Sequence, residues 1–175
     1  YYPIEKILSR FTDGLITINQ EDYRRARKFH AGKVVLIPGV GIDLGKFQKK
    51  EPTRLDIRKR LNIPEEKIVL MSVGELTKRK NHIAVIEAIA QLKAYDIIFI
   101  ICGDGPMKAR LRERAEELGV KDRLKLVGFR KDVAELHKAA DIFVFPSLQE
   151  GLPVALMEAM ASGLPIVASK IRGNV

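Results

Sequence analysis

The sequence predicts an α/β fold: a doubly wound parallel sheet, Rossmann-like, with helices on both faces. Two observations carry the prediction. From residue 68 onward, apolar runs of strand length alternate regularly with helix-like segments, and within each run the apolar residues are continuous. A strand exposed on one face alternates polar and apolar residues, whereas a strand covered on both faces does not. Buried strands separated by helices are the pattern of a parallel sheet wound in both directions.

The elements follow in order along the chain. Residues 2–11 carry Ile4, Ile7, Leu8 and Phe11 at helical spacing, and "GLITI" is a buried strand. Asn19 offers an N-cap for the charged helix "QEDYRRARKF". "KVVLIP" is a strand, and "GVGIDLGKF" a Gly-rich connection that closes a β-α-β piece, residues 1–47. Residues 48–67 are polar and punctuated by proline, a linker with a leading helix. Next come the strand "IVLMSVG", the helix "HIAVIEAIAQLK", the strand "DIIFIICG" and the helix "MKARLRERAEELG". The strand "LKLVGF", the helix "VAELHKAA", the strand "DIFVFPS", the helix "PVALMEAMASG" and the strand "PIVAS" complete the second unit, residues 48–175.

Composition sets limits. Hydrophobic residues at 46% and charged residues at 30% describe a soluble globular chain rather than a disordered one. The single cysteine, Cys102, lies in the apolar run "IIFIIC" and forms no internal disulfide, so nothing requires an oxidising compartment. No second cysteine or close histidine gives it a metal-ligand spacing. No segment approaches the roughly 18 apolar residues of a spanning helix, and "YYPIEKIL" lacks the order of a signal peptide. Both ends read as cuts through a longer, cytoplasmic protein. A net charge of +9 favours anionic partners: nucleotides, phosphoryl groups, nucleic acid or an acidic membrane surface. The basic residues are scattered over helices without a recognition motif, which argues against nucleic acid.

Sheets of this kind bind ligands beyond the carboxyl ends of their strands, so the residues there are the candidates. After "IVLMSV" stand Gly74, where backbone can approach a ligand, and Lys80, placed before a helix N-terminus where anions collect. Lys78 and Arg79 read as a solvated loop. After "DIIFIIC", Gly103 and Gly105 flank Asp104 in a tight turn, with Pro106 as a first helical residue; the G-x-G-x-x-G spacing of a dinucleotide site is absent. After "LKLV", Gly128 and Phe129 expose backbone groups to a flat base, and Arg130 is either a cation that stacks on the base or pairs with phosphate, or a surface residue of the turn. After "DIFVFPSL" comes "QEGLPVALMEAM", where Gly151 lets the chain turn into a helix whose first N–H groups cradle an anion. Glu150 precedes that helix and Glu158 lies on it. Each alone reads as a dipole partner or a solvated residue; together with Gly151 they point to a ligand rich in hydroxyls, since a carboxylate accepts two hydrogen bonds from a diol.

Taken together, "VGELTKRKNH", "IICGDGP", "LVGFRKDV", "ADIFVFPSLQEGLPVALMEAMASGLPIVAS" and the closing "GN" resemble the C-terminal, donor-binding half of group 1 (family 4) glycosyltransferases. The motif that opens on Glu150 and closes on Glu158 is the most specific part. The resemblance implies one half of a two-domain GT-B type enzyme that moves a sugar from a nucleoside diphosphate with retention, in surface polysaccharide or glycolipid synthesis. It implies no metal or other cofactor, the diphosphate being held by cations and helix-end amides. By matching positions Glu158 takes the ribose hydroxyls. Glu150, the residue assigned to catalysis, takes those of the donor sugar. Gly151, Leu152 and Pro153 support sugar and diphosphate, Lys80 binds the diphosphate, and Gly128, Phe129 and Arg130 border the base.

Two departures stand out. Many members carry arginine where this chain has Glu75, which shifts load onto Lys80. The N-terminal acceptor domain, which supplies a catalytic histidine, is represented only by residues 1–47; His30, His82 and His137 match no catalytic position and read as surface or helix residues. The expected partners are a nucleotide sugar, the missing acceptor domain and, peripherally, an acidic membrane surface. The alternative is a catalytically inert nucleotide-sugar-binding fragment.

Overall fold

The computed structural model describes residues 2–37 and 39–174. Pro38, read as the end of a strand, lies outside them, as do Tyr1 and Val175. The chain divides into two compact units, Tyr1–Gly41 and Ile42–Val175. The break therefore falls between Gly41 and Ile42 rather than after Phe47.

In the first unit, α1 (Tyr2–Leu8) tightens into a 3-10 turn, Ser9–Phe11, before β1 (Gly14–Thr17), α2 (Gln20–Ala26) and β2 (Lys33–Leu36). β1 and β2 pair in parallel, Gly14 opposite Lys33. Asn19 caps α2 as expected, its side chain accepting from Asp22 N at 2.8 Å. The helix stops at Ala26, short of Phe29, because Lys28 N and Phe29 N bond to the carbonyls three residues back and close tight turns instead. Ile4, Ile7, Leu8 and Phe11 share one apolar side, and all are exposed.

The second unit contains α3 (Arg54–Arg60), β3 (Ile68–Val73), α4 (His82–Gln91), β4 (Ile97–Cys102), α5 (Lys108–Glu117), β5 (Leu124–Gly128), α6 (Val133–Ala139), β6 (Ile142–Phe145), α7 (Val154–Ala161) and β7 (Ile166–Ala168). Its sheet has the order β5-β4-β3-β6-β7, every named pair parallel. This is the doubly wound, Rossmann-like arrangement. β4 explains the continuous apolar runs: Ile97, Phe99 and Ile101 pack into one core cluster with α4 and α5, while Ile98, Ile100 and Cys102 pack into the other with α3 and α6. Cys102 is 2% exposed, a structural thiol as expected.

Residues 48–67 are not a mere linker. Thr53 and Asp56 form a capping box that starts α3. Ile57 and Ile63 are buried in the core with α6, and Arg58 is 2% exposed. Pro106 does not begin α5, which starts at Lys108; Met107 N donates instead to Leu76 O at 2.9 Å, holding the preceding turn against the β3–α4 connection. His82 and His137 are helical but buried, at 2% and 0% exposure. Each fills a core position on the apolar face of its helix.

Candidate functional site

β3 and β6 are adjacent in the sheet but far apart in sequence, and the chain winds away from them in opposite directions. Their carboxyl ends therefore open a crevice at the topological switch point. β3 leads through Gly74 and Glu75 to a 3-10 turn, Lys78–Lys80, and Asn81 at φ 53° turns the chain into α4. β6 leads through residues 146–153 into α7. The two loops are tied by one backbone and one side-chain bond: Leu148 N donates to Arg79 O at 2.8 Å, and Arg79 Nη1 to Gln149 O at 2.7 Å.

This fastening places an ion pair in the crevice. Lys80 Nζ donates to Glu150 Oε1 at 2.7 Å, and Arg79 Nη1 lies 3.2 Å from the same oxygen. The side chains of Lys80 and Glu150 are 12% and 8% exposed. Lys80 Nζ also sits 4.7 Å from the centroid of the Phe145 ring, a cation–π contact made by the last residue of β6. Burial pushes the Glu150 carboxyl up, but the hydrogen bond from Lys80 and the charges of Lys80 and Arg79 outweigh it. The group titrates below its ordinary range and is ionised at neutral pH.

A cavity of about 380 Å³ lies at the ends of β3, β4 and β5, lined by Val73, Gly74, Glu75, Cys102, Gly103, Asp104, Phe129, Arg130 and Val133. Gly74 joins it to the ion pair, since a Cβ built there would stand 3.0 Å from Lys80 Cε. Gly103 admits no side chain: at φ +154° its Cβ would fall 1.9 Å from Gly74 O. Gly128 stands behind the cavity wall, its carbonyl accepting from Gly103 N at 2.8 Å. The Phe129 ring is 76% exposed. An uncovered aromatic at a cavity mouth is a surface for stacking.

Four candidate residues, Gly74, Gly103, Phe129 and Arg130, thus line the cavity, and Lys80 pairs with Glu150 in the crevice. Gly151 is exposed, Leu152 half-buried and Pro153 buried ahead of α7. A Cβ on Gly151 would meet no atom within 4 Å, so the fold itself does not require glycine there. Arg130 is less free than expected: its Nε donates to Asp132 at 2.7 Å and its Nη2 to the other carboxylate oxygen. The charge that was open to a phosphate is held by Asp132. Glu150 and Glu158 have different charged neighbours. Glu158 lies near Lys46, and its burial raises the carboxyl pKa against the pull of that lysine. The 380 Å³ cavity is lined by neither glutamate.

Sequence reasoning missed three contributors. Arg79 is exposed as expected, yet it also braces Gln149 and Glu150. Lys46, read as part of a Gly-rich connection, belongs to the second unit, and its charge acts on Glu158. Gly173 packs against Glu150, where a Cβ would fall 2.6 Å from Glu150 Cβ. Only the last left a signal in the sequence, the closing "GN". Among the described residues, no three His, Cys, Asp or Glu side chains are grouped to hold a metal ion, and no helix is long and apolar enough to cross a membrane.

Fold and crevice together define a Rossmann-like α/β domain with a cation–carboxylate pair at its switch point. The chain belongs to the glycosyl transferases group 1 family, whose model matches residues 53–175. It is 36% identical over 179 residues to EpsD of Bacillus subtilis, across 99% of this chain and 47% of that protein. It is 34% identical over 183 residues to UDP-Gal:alpha-D-GlcNAc-diphosphoundecaprenol alpha-1,3-galactosyltransferase of Escherichia coli, again across 99% of this chain and 47% of that protein. The chain thus spans about half the length of the curated relatives it matches. Among solved structures, Anabaena HepE in complex with UDP and glucose superposes with a TM-score of 0.86 at 24% identity, over 99% of this chain and 49% of that one. The C-terminal domain of a group 1 glycosyl transferase from Francisella tularensis gives a TM-score of 0.64 at 26% identity, over 74% of this chain and 71% of that one.

Proposed function

We propose that this chain is the donor-binding part of a retaining glycosyltransferase. Its reaction moves a sugar from a nucleoside-diphosphate sugar to an acceptor in surface polysaccharide or glycolipid synthesis. The observation that carries the reading is the Lys80–Glu150 pair at the switch point, adjoining the cavity of Gly74, Gly103 and Phe129. An ammonium, a carboxylate and a hollow of about 380 Å³ match, in order, a diphosphate, the hydroxyls of a sugar and a nucleoside base.

On this reading the base enters between Gly103 and Phe129, and the diphosphate lies along Lys80 and Arg79. Departure of the diphosphate builds negative charge on its oxygens and positive charge at the anomeric carbon. Preorganised groups lower the barrier only if they are already aimed at both charges. Lys80 answers the first and the ionised Glu150 the second, while holding sugar hydroxyls. Glu158 takes the ribose diol. Neutralisation of the leaving group is assigned to Lys80, Arg79 and the amides before α7, without a metal. The acceptor and a catalytic histidine are assigned to an N-terminal domain of which residues 1–41 are read as a part, and the basic surface to peripheral contact with an acidic membrane on its cytoplasmic side.

Isothermal titration with UDP, GDP and uridine tests the reading. A nucleoside diphosphate binds with measurable heat, uridine binds at least tenfold more weakly, and Lys80→Met removes most of that difference. The absence of heat from both diphosphates with folded protein would overturn it.

A further inference from the structure

A second cavity, of about 460 Å³, lies between the β3–α4 turn and the start of α5. It shares no lining residue with the cavity described above. Its apolar walls are Ile83, Met107 and Leu111, and Thr77 and His82 contribute polar groups. His82 is 2% exposed; its Nε2 lies 3.2 Å from Ser72 Oγ, while its Nδ1 is buried without a hydrogen-bond partner, as is Thr77 Oγ1. Buried polar groups are seldom left unpaired in native proteins. The first turn of α4 has no side-chain cap, since the Asn81 amide is 3.4 Å from Pro146 O instead. Lys78 stands exposed among the lining residues. A single ordered water takes up roughly 30 Å³ of liquid volume, far less than this space.

We infer that this cavity is a second ligand site, for a small organic anion with an apolar body, and that its occupant adjusts Lys80 through the Lys78–Lys80 turn. The uncapped start of α4 receives the anionic head, with Lys78 and Arg110 at the rim supplying counter-charge, and the orphaned Thr77 hydroxyl and His82 ring nitrogen lie buried beneath that surface. Ile83, Met107 and Leu111 receive the body. Binding at this site does not depend on the donor reading; its effect on the donor rests on that reading. By reciprocity, an occupant that changes UDP affinity is itself bound differently when UDP is present.

The probes are phenyl phosphate, benzoate and inorganic phosphate, followed by calorimetry and by the His82 ring resonances in NMR. Phenyl phosphate or benzoate should bind at submillimolar concentration and shift the His82 resonances, with inorganic phosphate weaker because it fills none of the apolar wall. Lys78→Ala should weaken the organic probe about fivefold, and Met107→Trp or Ile83→Trp, whichever folds, should close the cavity and abolish its binding. Lys80→Met should leave it intact, which separates this site from the donor crevice. Failure of both organic probes to shift His82 at millimolar concentration overturns the site. So does binding that survives a folded tryptophan variant or is displaced competitively by UDP. Probe binding with unchanged UDP affinity supports the site and overturns its coupling to Lys80.

Discussion

β6 carries an ion pair at each end, and the two pairs have opposite characters. Before its first residue, Asp141 accepts from Arg58 Nη2 at 2.8 Å, Val69 N at 2.7 Å and Arg54 Nη2 at 2.6 Å. The rest of the Arg58 guanidinium is taken by backbone carbonyls: Ala139 O at 3.0 Å, Glu65 O at 2.6 Å and Lys67 O at 3.0 Å. Beyond its last residue, the Lys80 ammonium meets one carboxylate and one aromatic face. The first pair is saturated by the chain's own groups and locks α3 to α6 and β3. The second retains N–H capacity, as an ammonium has three donors. Saturation, more than burial, separates a pair that holds the fold from a pair placed to meet a ligand.

The comparison breaks hardest at Arg58. Arg58→Ala strands three carbonyls and removes the buried partner of Asp141, so urea unfolding should show a loss of about 3–5 kcal/mol. The crevice lies at the other end of the strand, so UDP affinity measured on the remaining folded protein should stay the same. A loss below about 1 kcal/mol would make the first pair no more structural than the second.

The two buried histidines sharpen the contrast through pH. Burial pushes both below their ordinary value, to about 4; the charge of Lys80 adds to the effect at His82, while burial alone acts at His137. Unfolding frees them to titrate near 6.5, so between those values the unfolded chain binds more protons than the folded one. Their contribution is therefore present above pH 6.5 and is lost as pH falls toward 4. Each accounts for on the order of 3 kcal/mol across that interval. Urea midpoints measured from pH 7 to pH 4.5 should fall steadily, and His137→Asn should flatten the decline. A midpoint that stays level over this range would mean that both rings are already charged or are solvated.

The order of elements, the parallel sheet and the switch-point crevice were legible because buried strands leave continuous apolar runs and strand ends follow from them. That Lys80, Glu150, Gly74, Gly103 and Phe129 stand in the loops beyond the strand ends was legible by position alone. What the sequence hid was pairing across distance. Nothing local says that Arg79 reaches Gln149 or that the charge of Lys46 acts on Glu158. Arg58 was hidden for a related reason. A lone arginine in a polar, proline-marked stretch looks solvated until carbonyls from α6 and the following loop are brought around it. The helix ends moved for a local reason, tight turns at Lys28 and a backbone bond at Met107 that periodicity does not register.

Glu158 sits between the two classes, a carboxyl raised by burial and only partly offset by Lys46. If it receives the ribose diol, Glu158→Ala should cost about 1–3 kcal/mol of UDP affinity, through the loss of charge-assisted bonds to two hydroxyls. The effect should be much smaller with a 2′,3′-dideoxy UDP analogue, which offers Glu158 nothing to hold. Equal losses with both nucleotides would place the ribose elsewhere and leave Glu158 as a packing residue of α7.

The smallest change in stability should come from neutralising the crevice pair as a whole. Removing Lys80 alone leaves Glu150 buried beside Arg79 only, so a single variant mixes lost binding with an uncompensated charge. Lys80→Met combined with Glu150→Gln removes both charges and retains most of the packing on Phe145, and replacements of this kind are often close to neutral. The unfolding free energy should then stay within about 1 kcal/mol of the parent, while the advantage of UDP over uridine disappears. Against Arg58→Ala, that is the reverse pattern: a stable protein without its ligand preference. If the double variant unfolds as readily as Arg58→Ala, the crevice pair is also a structural lock, and the distinction drawn from its spare donors fails.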